Sequence, residues 1–96
     1  MSIPLITSDT RKEILRIAKE NGATRVRIFG SVARGTAGPE SDLDLLIDLA
    51  PGRHLLDVVA IKQDLEDFLR RQVHVVTEAA VSPYMRDEII RDAVDL

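Results

Sequence analysis

Two apolar runs separated by a fixed gap constrain this chain more than anything else in it. Val26, Ile28 and Phe29 make one short strand-like run. Leu43, Leu45, Ile47 and Leu49 make a second, alternating with Asp42, Asp44, Leu46 and Asp48 at the period of two that marks a strand. Between them stand Gly30-Ser31, ten further residues, and then Asp42-Leu43-Asp44. Asp42 and Asp44 leave the second strand on one face. Residues two apart on a strand lie about 6.5–7 Å apart at Cα, so the two carboxylates can converge on one hard cation or bridge two. A pair of Mg²⁺ ions about 3.5–4 Å apart is the usual clamp for in-line displacement at phosphorus.

The Gly30-Ser31 end supplies a complementary half. Gly30 lets the backbone approach a ligand, and Ser31-Val32-Ala33-Arg34 can open a helical turn with free N–H groups. The Ser31 hydroxyl adds a donor, and Arg34 adds a permanent positive charge. Phosphates at one end and metal at the other describe a nucleoside triphosphate site. Each half alone has an ordinary explanation, with Ser31 as a helix cap and the aspartates as decoration of an exposed strand. Their conjunction at this spacing, between two strands, is what points to chemistry.

Gly30-Ser31, Arg34-Gly35 and Ser41-Asp42-Leu43-Asp44-Leu45 resemble the signature of the polymerase-β-type nucleotidyltransferases. Asp48, Pro51-Gly52-Arg53, Leu55-Leu56-Asp57, Leu65-Glu66, Val75-Val76-Thr77 and Ser82-Pro83-Tyr84 extend the likeness to the minimal nucleotidyltransferase (MNT) subfamily, over nearly the whole chain. The resemblance implies a small antitoxin paired with a HEPN-domain ribonuclease toxin. It implies ATP as substrate, Mg²⁺ as cofactor, and transfer of AMP to a tyrosine of the toxin. It also implies that Asp42 and Asp44 are catalytic metal ligands and that Gly30, Ser31 and Arg34 bind the nucleotide.

One position departs from the pattern. His74 stands in a Val-His-Val-Val-Thr run where the family normally carries a third carboxylate, which completes the metal set and assists deprotonation of the attacking hydroxyl. Mg²⁺ takes oxygen ligands and tolerates nitrogen poorly. Asp48 is a poor replacement, since four residues along a strand span about 13 Å. Two outcomes follow. Either the enzyme works with two carboxylates, triphosphate oxygens and water, with His74 in a catalytic role, or the domain neutralises its toxin by binding alone. Transfer to a small molecule such as an aminoglycoside is a third reading, with no second domain to enclose the acceptor.

Ninety-six residues suit one domain, 1–96, and leave no room for a separate recognition domain, so the acceptor is expected to bring its own bulk. A net charge of −3 argues against direct binding of nucleic acid, which needs a basic face to displace counterions. Without cysteine there are neither disulfides nor thiolate metal sites. Met1-Ser2-Ile3-Pro4 lacks the basic start and apolar core of a signal peptide, and no apolar run is long enough for a membrane span, so a cytoplasmic protein is expected. Homo- and hetero-oligomers are both left open.

The expected fold is α/β, a small mixed sheet of three or four strands with helices packed on it. A helix capped by Ser8 or Asp9 carries the stripe Ile14, Leu15, Ile17 and Ala18 and ends at Asn21-Gly22. The segment 35–40 is a turn-rich spacer. A second long helix runs from about His54 to Arg70, with His54 in its capping region and Asp57 favoured by the helix dipole. Val73 to Val76 read as a third strand, and Ser82-Pro83 as the start of a last helix offering Tyr84, Met85, Ile89 and Ile90 for packing.

Overall fold

A computed structural model describes residues 6–38 and 41–96; Met1-Ser2-Ile3-Pro4 and Pro39-Glu40 lie outside the described residues. Helix α1 (Ser8–Glu20) is capped by Thr7, one residue earlier than expected, whose hydroxyl accepts the Thr10 N–H at 3.1 Å. Asn21 closes it, donating its side-chain amide to the Ile17 carbonyl at 2.9 Å. The chain continues through β1 (Ala23–Phe29), α2 (Gly30–Arg34), β2 (Leu43–Leu49), α3 (Leu55–Leu69) and β3 (Val73–Val76). A short 3₁₀ turn (Glu78–Ala80), α4 (Pro83–Asp92) and β4 (Val94–Asp95) follow.

The strands form one mixed sheet in the order β3-β2-β1-β4. β2 runs antiparallel to β1 and parallel to β3, and β4 adds antiparallel to β1. The parallel pair requires a crossover, which α3 provides. As the composition of Leu45-Leu46-Ile47 demands, β2 is interior and all three residues are 0% exposed. Leu43, Leu45 and Ile47 join Val26, Ile28 and Val73 in a core with Ile14, Ile17 and Ala18 of α1 and Ile61 and Leu65 of α3. Burying each of these larger side chains contributes about 1.5–3 kcal/mol. The opposite parity of the strands, Asp44, Leu46 and Asp48 on β2 with Arg27 on β1 and His74 on β3, belongs to the other face.

Helix α4 packs on β1 and α2, but of its four candidate packing residues only Ile89 is buried. Tyr84 is 96% exposed, and Met85 and Ile90 are also open to solvent. Periodicity aligns residues on a helix face but does not say how wide a strip the neighbouring elements cover.

His54 caps α3 as expected. Its Nδ1 accepts the Leu56 N–H at 3.4 Å, while Asp57 Oδ2 accepts the His54 N–H at 3.0 Å. That backbone donor, with Arg53 helping, holds the Asp57 carboxyl below the usual aspartate range. A depressed folded-state value means that the contribution to stability is present above the unfolded value of 3.8 and is lost as pH falls through the folded one. Asp57→Asn is therefore expected to lower the melting temperature at pH 7, with the gap to wild type closing as pH falls through the folded-state value. Parallel melting curves of the two proteins across pH check this, and a gap independent of pH would contradict it.

Candidate functional site

The site is built where β1 ends against the start of β2. Phe29 pairs with Asp44 in the antiparallel register, so the next residue, Gly30, meets the Asp44 side chain. Gly30 has φ +74°, in the left-handed region, and a Cβ there would run into Asp44 Oδ2. Glycine is needed on both counts, for the turn and for the space that the carboxylate fills. Helix α2 leaves immediately, pinned by Val32, which is 2% exposed. Gly35 (φ +75°) closes it, with its N–H on the Val32 carbonyl at 3.2 Å, and the Thr36 N–H reaches the Ser31 carbonyl at 3.0 Å. Gly30 and Ser31 are thus held beside Asp44.

Strand β3 completes the cluster. In its parallel register with β2, His74 stands directly opposite Asp44. Its Nε2 lies 2.9 Å from Asp42 Oδ2 across a half-exposed contact. Partial burial pushes the Asp44 carboxyl above the usual aspartate range; the His74 and Arg34 charges oppose that shift and the Asp42 charge adds to it. His74 is therefore adjacent to both aspartates, on the strand face opposite Val73 and Val75.

Among the described residues, no group of three or more His, Cys, Asp or Glu side chains is arranged to hold a metal ion. The fit to a cation rests on the pair: two like-charged carboxylates, one partly desolvated, interact unfavourably until a cation lies between them. Mg²⁺ is commonly held by one or two carboxylates together with substrate phosphates and water. Asp42 and Asp44 suit that arrangement, whereas His74 offers a nitrogen that already engages Asp42.

Two features were not legible in advance. Arg34, expected at the phosphates, has its Nη1 2.7 Å from Asp92 Oδ2 on α4, while its charge still acts on Asp44. Arg27 is 6% exposed, and its Nη2 donates to Glu78 Oε1 at 2.9 Å and Asp48 Oδ1 at 3.3 Å. Asp48 is thereby committed to Arg27 rather than to the cluster at the head of β2. Alternating Arg25 and Arg27 on β1 signalled a polar face, but nothing local distinguishes the exposed arginine from the buried one. Among the described residues no helix is long and apolar enough to cross a membrane.

The sequence profile of the nucleotidyltransferase domain matches residues 11–96. A relative from Methanocaldococcus jannaschii, inferred to be a protein adenylyltransferase, is 36% identical over 93% of this chain and 96% of its own length. A solved structure inferred to be a minimal nucleotidyltransferase superposes with a TM-score of 0.81 at 43% identity, covering 92% of this chain and 90% of that one. A solved toxin–antitoxin structure with AMP-PNP superposes with a TM-score of 0.75 over 88% of this chain and 69% of that one; at 20% identity this likeness is one of fold. Mixed sheet, Gly30-Ser31 turn and paired aspartates thus accompany a family match over almost the whole chain, and the protein belongs to the nucleotidyltransferase-domain family, as a minimal nucleotidyltransferase.

Proposed function

We propose that this nucleotidyltransferase is the antitoxin of a HEPN-domain toxin and inactivates it by transferring AMP from ATP to a hydroxyl, most simply that of a tyrosine. The observation that carries the reading is the convergence of Asp42, Asp44 and His74 beside Gly30-Ser31, which supports taking the carboxylates as a cation-binding pair next to a turn suited to phosphate. The adenylyltransferase relative and the shared fold of a toxin–antitoxin structure with AMP-PNP support the substrate and the partner.

In this reading Gly30 and Ser31 receive the triphosphate through backbone N–H groups and the Ser31 hydroxyl, and Arg34 balances its charge. Asp42 and Asp44 would hold Mg²⁺, which would supply charge neutralisation of the triphosphate and polarisation of the phosphoryl oxygens. The toxin hydroxyl oxygen forms a bond to the α-phosphorus, the bond from that phosphorus to the β-phosphate bridge breaks, and pyrophosphate leaves. The hydroxyl proton passes to an unprotonated ring nitrogen of His74. Positioning and electrostatics supply most of the benefit in such a step, which a small domain can provide.

A second reading, neutralisation by binding alone, is favoured by one contact: in the free protein His74 Nε2 already engages an Asp42 oxygen. Labelled ATP with purified HEPN toxin separates the two. Wild type is expected to transfer slowly, His74→Asp faster because it adds a third oxygen ligand, and His74→Ala more slowly than wild type. Transfer absent from wild type in both Mg²⁺ and Mn²⁺, with neutralisation intact in Asp42→Asn/Asp44→Asn, would establish the binding reading instead.

A further inference from the structure

We infer that Asp92, the last residue of α4, is a positioning residue for Arg34, holding its guanidinium at the phosphate end of the site and so coupling α4 to nucleotide binding. The inference rests on the reading of Arg34 as a triphosphate contact. Arg34 ends the short helix α2 with its side chain half exposed, and a long side chain so placed has rotamer freedom to surrender before it can meet a phosphate. Asp92 removes that freedom in advance through the 2.7 Å contact between its Oδ2 and Arg34 Nη1.

Asp92 is itself well anchored. Ile89, one turn earlier, is buried, and the Ala93 N–H donates to the Ile89 carbonyl at 3.0 Å. Val94 then pairs with Ile28 on β1, two residues before Gly30. The sheet therefore fixes the end of α4 level with the Gly30 turn, and the Asp92 carboxylate, 24% exposed, faces Arg34 from a backbone with little latitude. A guanidinium carries five N–H donors in a planar fork, so one nitrogen on Asp92 leaves others for phosphate oxygens. The contact is compatible with an anionic ligand.

The test is a double-mutant cycle read as affinity for AMP-PNP with Mg²⁺, measured calorimetrically on the full chain, with melting curves confirming that each variant is folded. Asp92→Asn is expected to weaken binding about 5- to 10-fold, within the range for directly coupled neighbours, and Asp92→Glu to recover part of the loss. Arg34→Ala is expected to weaken binding at least as much, and adding Asp92→Asn to it to change nothing further. A general packing defect would instead reduce affinity equally in both backgrounds, and that result overturns the inference. So does unchanged or tighter binding in Asp92→Asn alone, the latter meaning that Asp92 competes with the nucleotide. Unchanged binding in Arg34→Ala would remove the reading of Arg34 itself and this inference with it. Relaxation of the Arg34 Nε–H signal in the nucleotide-free protein supplies an independent readout. It should report an ordered guanidinium in wild type and a mobile one in Asp92→Asn, and equal mobility in the two would also overturn the inference.

Discussion

Asp42→Asn/Asp44→Asn is expected to lose about 100-fold or more in Mg²⁺-dependent ATP affinity, together with measurable nucleotidyl transfer, while Asp44→Asn alone melts at a higher temperature than wild type. The first effect follows from removing both anionic anchors for a cation whose charge stabilisation is worth several kcal/mol at a phosphoryl group. The second follows from the sign of the Asp44 shift. Burial, with the neighbouring Asp42 charge, raises its folded-state value above the unfolded 3.8. A group raised in the folded state contributes stability that is present below its unfolded value and lost as pH rises through the folded one. At neutral pH the ionised Asp44 therefore works against the fold, and an uncharged amide of similar shape relieves it. The gain in melting temperature should be largest near pH 7 and disappear toward pH ~3. ATP titrations and melting curves on the same preparations measure both arms. Equal ATP affinity in mutant and wild type would remove the metal role of the pair, and a lower melting temperature for Asp44→Asn at pH 7 would contradict the electrostatic account.

Gly30→Ala is the second large effect, and it isolates geometry from charge. The substitution leaves every proposed functional side chain chemically unchanged but puts a Cβ against Asp44 Oδ2, on a backbone at φ +74°. The left-handed conformation costs a non-glycine residue about 1–2 kcal/mol, a loss of stability that a core of this size should survive. Catalysis is less forgiving, because a displacement of about 1 Å in a reacting constellation can cost 100-fold. The Asp44 carboxylate must move, or the turn into α2 must open and shift Ser31. Gly30→Ala is therefore expected to fold with a modestly lower melting temperature while losing about 100-fold in nucleotidyl transfer. Transfer within a few-fold of wild type would mean that the Gly30–Asp44 approach does not matter to the chemistry.

Electrostatic and steric conflicts meet at this cluster. Asp44 is partly buried as a charge, Asp42 repels it, and the turn beside it admits no side chain. The core on the opposite face of the sheet carries only aliphatic residues and bears none of these conflicts. Such separation gives β2 two faces of different character, with Leu43, Leu45 and Ile47 on one and Asp44 on the other.

The sequence by itself determined what local periodicity and spacing can carry. Alternation along 42–49 established β2 and the face on which Asp44 lies, and the same parity separated His74 from Val73 and Val75. Helix caps were readable to within a residue, because a cap and its helix are neighbours in the chain. Tertiary structure alone decided which of those faces meet. The Asp42–His74 contact spans 32 residues of chain, Arg27–Glu78 spans 51 and Arg34–Asp92 spans 58. β4 has two residues, too few to display a period, yet its pairing with β1 is what brings Asp92 beside Arg34. The burial of Arg27 and the exposure of Tyr84 also depend on which elements pack above them. A strand or helix records in its own residues the direction its side chains take, whereas the partner met in that direction is supplied by segments far away in the chain.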